Sequence, residues 1–254
     1  MHTATTHAAA EDLSAHGFAR EHWVMTQSWR DLLFLHWRWD PDEIQQRLPP
    51  GLEVDVFEGR AWIGIVPFVM ENIRPFRLPA VRGLSSFPEL NLRTYVHDAK
   101  GRRGVWFFSL DAHSWLGVKI ARNFFHLPYH HANMRVAKVD GGSVRFSSQR
   151  RSRKKEPPLV YSWEAPDAGR TAPAGSLECF LCERYRLFAH DARRDRLYCG
   201  EVVHSPYLLS RTRVHAWDAR LFTLNGFAAP QRAPDHVVAS PGVDVGIRPL
   251  RRLR

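Results

Sequence analysis

The chain has 254 residues, 44% of them hydrophobic and nine of them Trp, enough for one large domain or two small ones with a substantial core. No stretch approaches the roughly 20 apolar residues of a membrane-spanning helix, and three cysteines, an odd number, argue against a disulfide framework and for a reducing cytoplasm. The net charge of +10 rests on 31 Arg and only 5 Lys spread along the chain, and nucleic acid is not the expected partner: the one dense run, Arg150-Arg151-Ser152-Arg153-Lys154-Lys155, has no interleaved aromatics and reads as a solvated hairpin end.

Residues 1–20 lack both the basic start and the apolar run of a secretory signal. They also lack a periodic apolar pattern and are expected to form a disordered tail. A single domain is expected over 21–250. Arg30–Trp39 reads as an apolar strand, followed by a short helix in which Asp40 caps, Pro41 suits the first turn and Glu43 completes a capping box. Leu52–Glu58 alternates, Gly59 turns the chain and Arg60–Val69 returns, which predicts a hairpin. Pro75 and Pro79 then break the structure.

In Phe87–Val96 the side chains alternate strictly. Glu89, Asn91, Arg93 and Tyr95 share one face, and Leu90, Leu92, Thr94 and Val96 the other. Gly104–Asp111 pairs back across a glycine turn. Ser109 or Asp111 is read as the cap of a helix over Ala112–Phe125, with Leu116, Ile120 and Phe124 in one apolar row. Met134–Val139 and Ser143–Gln149 form a third hairpin, and Leu159–Glu164 is a further strand. Ser176 caps a short helix, SLECFLCER. The strands Tyr185–His190, Arg196–His204 and Arg211–Trp217 follow, then a small helix from Asp218 to Leu224 and a last strand, Val243–Leu250. About ten strands with hairpin spacing and few short helices imply an α+β fold built on a closed or nearly closed antiparallel sheet.

At FPELNLRTYV, GVWFFSLDA, ARNFFHLPYHHANM, SLECFLCERYRL, HSPYLL and SPGVDV, in that order between Trp23 and Pro249, the sequence resembles the YqjF-like family of uncharacterised proteins. That family is in turn similar to the acetoacetate decarboxylases, which implies a closed β-structure around a central cavity. The decarboxylases place a Schiff-base lysine in a Phe-Pro-Lys-Lys segment after a helix. Here the corresponding positions hold Tyr129 and His130, neither able to form an imine. Their glutamate on a neighbouring strand matches Glu89. The resemblance thus implies a cradle without its amine, and Lys119, mid-helix, is a poor substitute.

The candidate site follows from these residues. Glu89 and Arg93 are either a fixed structural pair or a base beside an anion grip. In the functional reading Arg93 and Arg122 bind an anionic molecule, Asn91, Tyr95 and Tyr129 position it, and Glu89 or His130 moves a proton. Parity predicts that Glu89, Asn91, Arg93 and Tyr95 point inward, with the leucines under a helix or a second sheet. A buried Arg93 is then expected to pair with Glu89 or with a bound anion.

No metal or other cofactor is expected: Pro128 separates His126 and His130, which removes the helical face that two histidines four apart would need. Cys179 and Cys182 read as core, and Glu183-Arg184-Tyr185 as buried ties between helix and sheet. His204, before Ser205-Pro206-Tyr207, stands at a strand end. The sequence fits an enzyme, with lyase- or hydrolase-like action on a small organic acid, or a non-catalytic sensing protein whose buried polar groups set register. It does not specify whether copies form a homo-oligomer.

Overall fold

The computed structural model describes residues 23–75, 86–139, 142–166 and 169–253. The N-terminal stretch read as a tail lies outside them, as do Pro79 and the side chains of Leu116, Ile120 and Phe124. The apolar run at Arg30–Trp39 extends back to Met25 to form β1 (Met25–Trp39), whose neighbours are β3 (Ala61–Pro75) and the late strand β12 (His236–Ile247). Asp40 caps helix α1 (Pro41–Gln45) by accepting from the Asp42 amide at 2.8 Å. The capping box does not close, because the Glu43 carboxylate accepts from the Trp39 indole instead.

The pairings of the long strands form a closed circuit. β3 joins β4 (Phe87–Asp98), and β4 joins β5 (Arg103–Ala112). β5 joins β9 (Arg186–Asp191), then β10 (Arg196–Val203), β12, β1 and β3 again. Seven strands thus close a ring, antiparallel throughout except where β5 meets β9. β5 also forks. Val105 and Trp106 pair with β9, whereas Leu110, Asp111 and Ala112 pair in parallel with β6 (Tyr129–Val139), and the register against β4 slips by one residue between the two halves. A bulge here lets one strand serve two sheets. From β6 a limb continues through β7 (Ser143–Arg150), β8 (Leu159–Glu164) and β11 (Val214–Ala216).

Strand alternation sorts the core into two parts. Leu33, Leu35, Ile63, Ile65, Leu90 and Leu92 leave the ring outward and meet Met134, Phe146 and Tyr161 of the limb. Phe34, Tyr95, Val105, Val202 and Val243 pack on the inside. The parity predicted for β4 therefore holds, and the leucines lie under a second sheet and not under the helix.

Three expectations change. β2 (Leu52–Val54) pairs with Val96–Asp98 of β4 and not with β3, so that of the predicted hairpin only the tip forms, where Phe57 and Arg60 exchange backbone hydrogen bonds across the Gly59 turn. The next residue, Asp55, has its amide bonded to Tyr95 O and its carboxylate to Arg184, so the chain is drawn to the β4 edge before the Gly59 turn. Ser109 and Asp111 stay within β5, and Ser114 caps helix α2 (Trp115–Phe124), accepting from Gly117 N at 3.1 Å. The last long strand starts at His236, well before Val243. The helices α3 (Leu177–Cys182), capped by Ser176, and α4 (Arg220–Thr223) lie where short helices were read. Among the described residues, no helix is long and apolar enough to cross a membrane.

Removing the Ser114 hydroxyl should leave the Gly117 amide without its cap. Ser114→Ala is expected to cost about 1 kcal/mol, read as a melting temperature lower by roughly 2–4 °C.

Candidate functional site

A cavity of about 290 Å³ lies inside the ring. Each of the seven strands lends it at least one side chain, from Trp29 on β1 to Ile247 on β12, and Gly117 and Ala121 of α2 join them. Glu89, Arg93, Tyr129 and Arg184 supply most of its chemistry.

Glu89 is 3% exposed and accepts from the Tyr129 hydroxyl at 2.6 Å. Burial raises its pKa from 4.5 to about 7, the hydrogen bonds from Tyr129 and Asn91 pull it down, and the Asp111 carboxylate pushes it up. The result is an acid whose charge changes near neutral pH. Tyr129 shifts in the same direction: burial and the adjacent Glu89 hold its pKa well above that of a free tyrosine, so it remains a neutral O–H donor. Asn91 is buried next to Glu89 and leaves its own Oδ1 without a partner.

Arg93 also lines the cavity. Its guanidinium donates to Leu181 O at 3.1 Å and, over a long 3.5 Å, to Tyr95 Oη, and Nε has no partner. It lies 5.5 and 5.6 Å from the Phe34 and Tyr95 rings. No carboxylate among the described residues comes within ion-pair distance of it, so the expected pairing with Glu89 does not occur. The reason is the strand itself: four positions at about 3.3 Å per residue set the two residues roughly 13 Å apart along β4.

Beside Arg93 a second chain of polar contacts runs along the inner face of the sheet. Tyr95 Oη meets His36 Nε2 at 2.8 Å, and His36 Nδ1 meets His236 Nδ1 at 3.0 Å. Burial first, then His236 and Arg93, lower the His36 pKa well below the ordinary value, so the ring is neutral. Gly64 makes room for this contact, since a Cβ there would stand 2.9 Å from the His36 ring.

Arg184 donates to Asp55 at 2.7 Å and to Phe180 O at 2.6 Å, with Nη2 unpartnered. It lines the cavity with Cys182 and Tyr207. The sequence marked Arg184 as a tie between helix and sheet, which it is. It missed that the same side chain borders the cavity, although a charged residue directly after an apolar helix was the available signal. Glu183 anchors this corner by accepting from the Tyr207 amide at 2.9 Å. His204 sits among the rings of Trp29, Tyr185 and Tyr207.

Two other predicted site residues lie elsewhere. Alternation along β6 sends Tyr129 inward, and His130 does not line the cavity. Burial, with Arg150 and Arg122 nearby, lowers the His130 pKa to about 4, so it is neutral at pH 7. Arg122 is exposed on α2. Tyr95 and Asn91 do not line the cavity either; Tyr95 touches the lining residues Arg93 and Arg184, whose guanidinium lies 5.3 Å from its ring, and Asn91 lies beside Glu89.

All five lysines, Lys100, Lys119, Lys138, Lys154 and Lys155, are exposed, and the Lys119 ammonium lies over the Trp115 ring at 4.5 Å. Cys179, Cys182 and Cys199 are free thiols. Among the described residues no three His, Cys, Asp or Glu side chains gather as a metal site would require.

The DUF2071 family, described as an uncharacterized conserved protein, matches residues 26–244. The chain is 39% identical over 212 residues to the uncharacterized protein YqjF of Bacillus subtilis (strain 168), covering 84% of this chain and 86% of that one. Among solved structures it is similar to acetoacetate decarboxylase from Legionella pneumophila, with TM-score 0.58, 12% identity and coverage of 90% of this chain and 87% of the other. It is also similar to the enduracididine biosynthesis enzyme MppR complexed with pyruvate, with TM-score 0.61, 16% identity and 93% of each chain covered. At these identities the two structures speak for the fold, which is acetoacetate-decarboxylase-like.

Proposed function

Since the chain belongs to the DUF2071 family and carries an acetoacetate-decarboxylase-like fold, we propose that its cavity binds a small organic anion and exchanges a proton with it, without Schiff-base chemistry. One observation carries this reading: Arg93 is a cavity-lining cation with no carboxylate partner and an unused Nε donor. A half-buried guanidinium with a secluded, unpartnered N–H is unfavourable, and an anion in the cavity would compensate its charge. Glu89 complements it. With a pKa near 7 it can give or take a proton at neutral pH, and Tyr129 holds the carboxyl group in place. The location of all five lysines at the surface supports a mechanism without an imine. MppR, of the same fold, is complexed with pyruvate, which supports a small carboxylate as ligand.

The alternative, a purely structural polar set, requires every buried polar group to be paired. Arg93 Nε, Arg184 Nη2 and Asn91 Oδ1 are not. The three free thiols fit a cytoplasmic setting.

The test is thermal unfolding of the wild type and Arg93→Met against a panel of short monocarboxylates. A ligand that binds the native state raises the melting temperature by mass action. The wild type is expected to be protected by at least one acid, and the variant to need roughly a hundredfold more of it, the order of one lost charge-assisted contact. Equal protection of a folded variant would sink the reading.

A further inference from the structure

Building on that reading, we infer that the ligand is a monocarboxylate with a sizeable apolar body, an alkanoate or arylalkanoate of roughly eight carbons, and not a keto acid of pyruvate's size or a dicarboxylate. The order of side chains along β4 carries the inference. Its cavity-facing positions run Phe87, Glu89, Arg93, an apolar ring, a weak acid and a fixed cation, over a distance of roughly 20 Å from first to last.

The two ends have opposite chemistry. Around Arg93 stand Arg184 and Tyr207, where a carboxylate finds N–H and O–H donors. Around Phe87 stand Met70, its partner across the sheet, and Ile73, with Met25 opposite Pro75 beyond them. Helix α2 covers this end by its smallest residue: a Cβ at Gly117 would lie 3.7 Å from the Phe87 ring, and Phe125 closes behind it. Apart from the neutral amide of Gln27 on β1, the lining residues named at this end are carbon and sulfur only.

A second carboxylate reaching that end would find no cation and at most the Gln27 amide as a donor, which is unfavourable for a desolvated charge. A methylene chain there would gain from burial. Size agrees. A cavity of about 290 Å³ is well above the roughly 10–15 Å³ that a single water needs and is roomier than a three-carbon acid requires.

The experiment is a tryptophan-fluorescence titration of the full chain, with Trp29 in the wall as reporter. The ligands are acetate, butanoate, hexanoate, octanoate, pyruvate, octanedioate and 1-octanol, all at pH 8. Affinity should rise about fourfold per methylene from butanoate to octanoate, some 200-fold in all. Octanedioate should bind at least tenfold more weakly than octanoate. A flat series, or pyruvate bound as tightly as octanoate, would overturn the ligand class and leave the anion reading standing. Octanol binding as tightly as octanoate would instead overturn the anion reading. Absence of binding by every acid up to about 10 mM would overturn the ligand class.

Discussion

Glu89→Gln is expected to stabilise the protein by about 3 kcal/mol at pH 8 and to have almost no effect at pH 4. The sign follows from the direction in which burial moves the acid. The folded-state pKa of Glu89 is raised from 4.5 to about 7, so between these values the native state holds a proton that the unfolded chain releases. Stability is therefore greatest below about pH 4.5 and is lost as pH rises through 7, at roughly 1.4 kcal/mol for each pH interval of one between the two pKa values. An amide at this position removes the loss. It still accepts from Tyr129, and its N–H can meet Asn91 Oδ1, which lacks a partner. Urea unfolding of both proteins at pH 4 and pH 8 measures the difference, and parallel pH profiles would refute the assignment.

Arg150→Met should produce the largest loss, about 3–5 kcal/mol near neutral pH. Arg150 and Asp111 are 6% and 0% exposed. Nε meets the carboxylate at 2.8 Å, Nη2 donates to Ser109 Oγ at 2.7 Å and Ser148 Oγ reaches Asp111 from the same side. The pair joins β5 of the ring to β7 of the limb, so its loss leaves a bare carboxylate at the seam between two sheets. Burial already pushes the Asp111 pKa up against the pull of Arg150 and Ser148. Without the arginine the group should rise further and take a proton. The deficit is then smallest below the already raised pKa of Asp111 in the wild type and grows as pH rises through it toward the higher value in the variant. Arg150→Met combined with Asp111→Leu should recover much of the loss, since removing both partners costs far less than removing one. Urea midpoints of the single and double variants decide the matter.

Much of this was legible in the chain, and the failures have physical causes. The period-two pattern of Phe87–Val96 identified the inward face correctly, because a regular strand leaves no other choice for Glu89, Arg93 and Tyr95. Parity says nothing of distance along the strand, and the Glu89–Arg93 pairing failed on that count. Arg150 looked like the first residue of a solvated basic run. Yet it continues the buried parity of Val144, Phe146 and Ser148 in β7, a signal hidden by the charges that follow it. The partner of β2 could not be read locally, because a three-residue strand is held by remote groups, here Tyr95 O and Arg184. His130 and Arg122 were placed by nearness in sequence to Tyr129, and one step along a strand or helix was enough to turn each away from the cavity.

The closed ring has a consequence for how the cavity comes into being. Met25 pairs with Ile247, so the circuit is completed by strands from the two extremes of the described sequence. Local hairpins such as β4–β5 and β6–β7 can form early, but the seam between β1 and β12 must wait for nearly the whole polypeptide, at the entropic disadvantage of a very long loop. Until then β1 and β10 present open edges, and an emerging chain carries the liability of unpaired strands. An intact cavity should thus arrive in a single late step of folding, and contacts that reach across the ring would act as a clasp on that last closure.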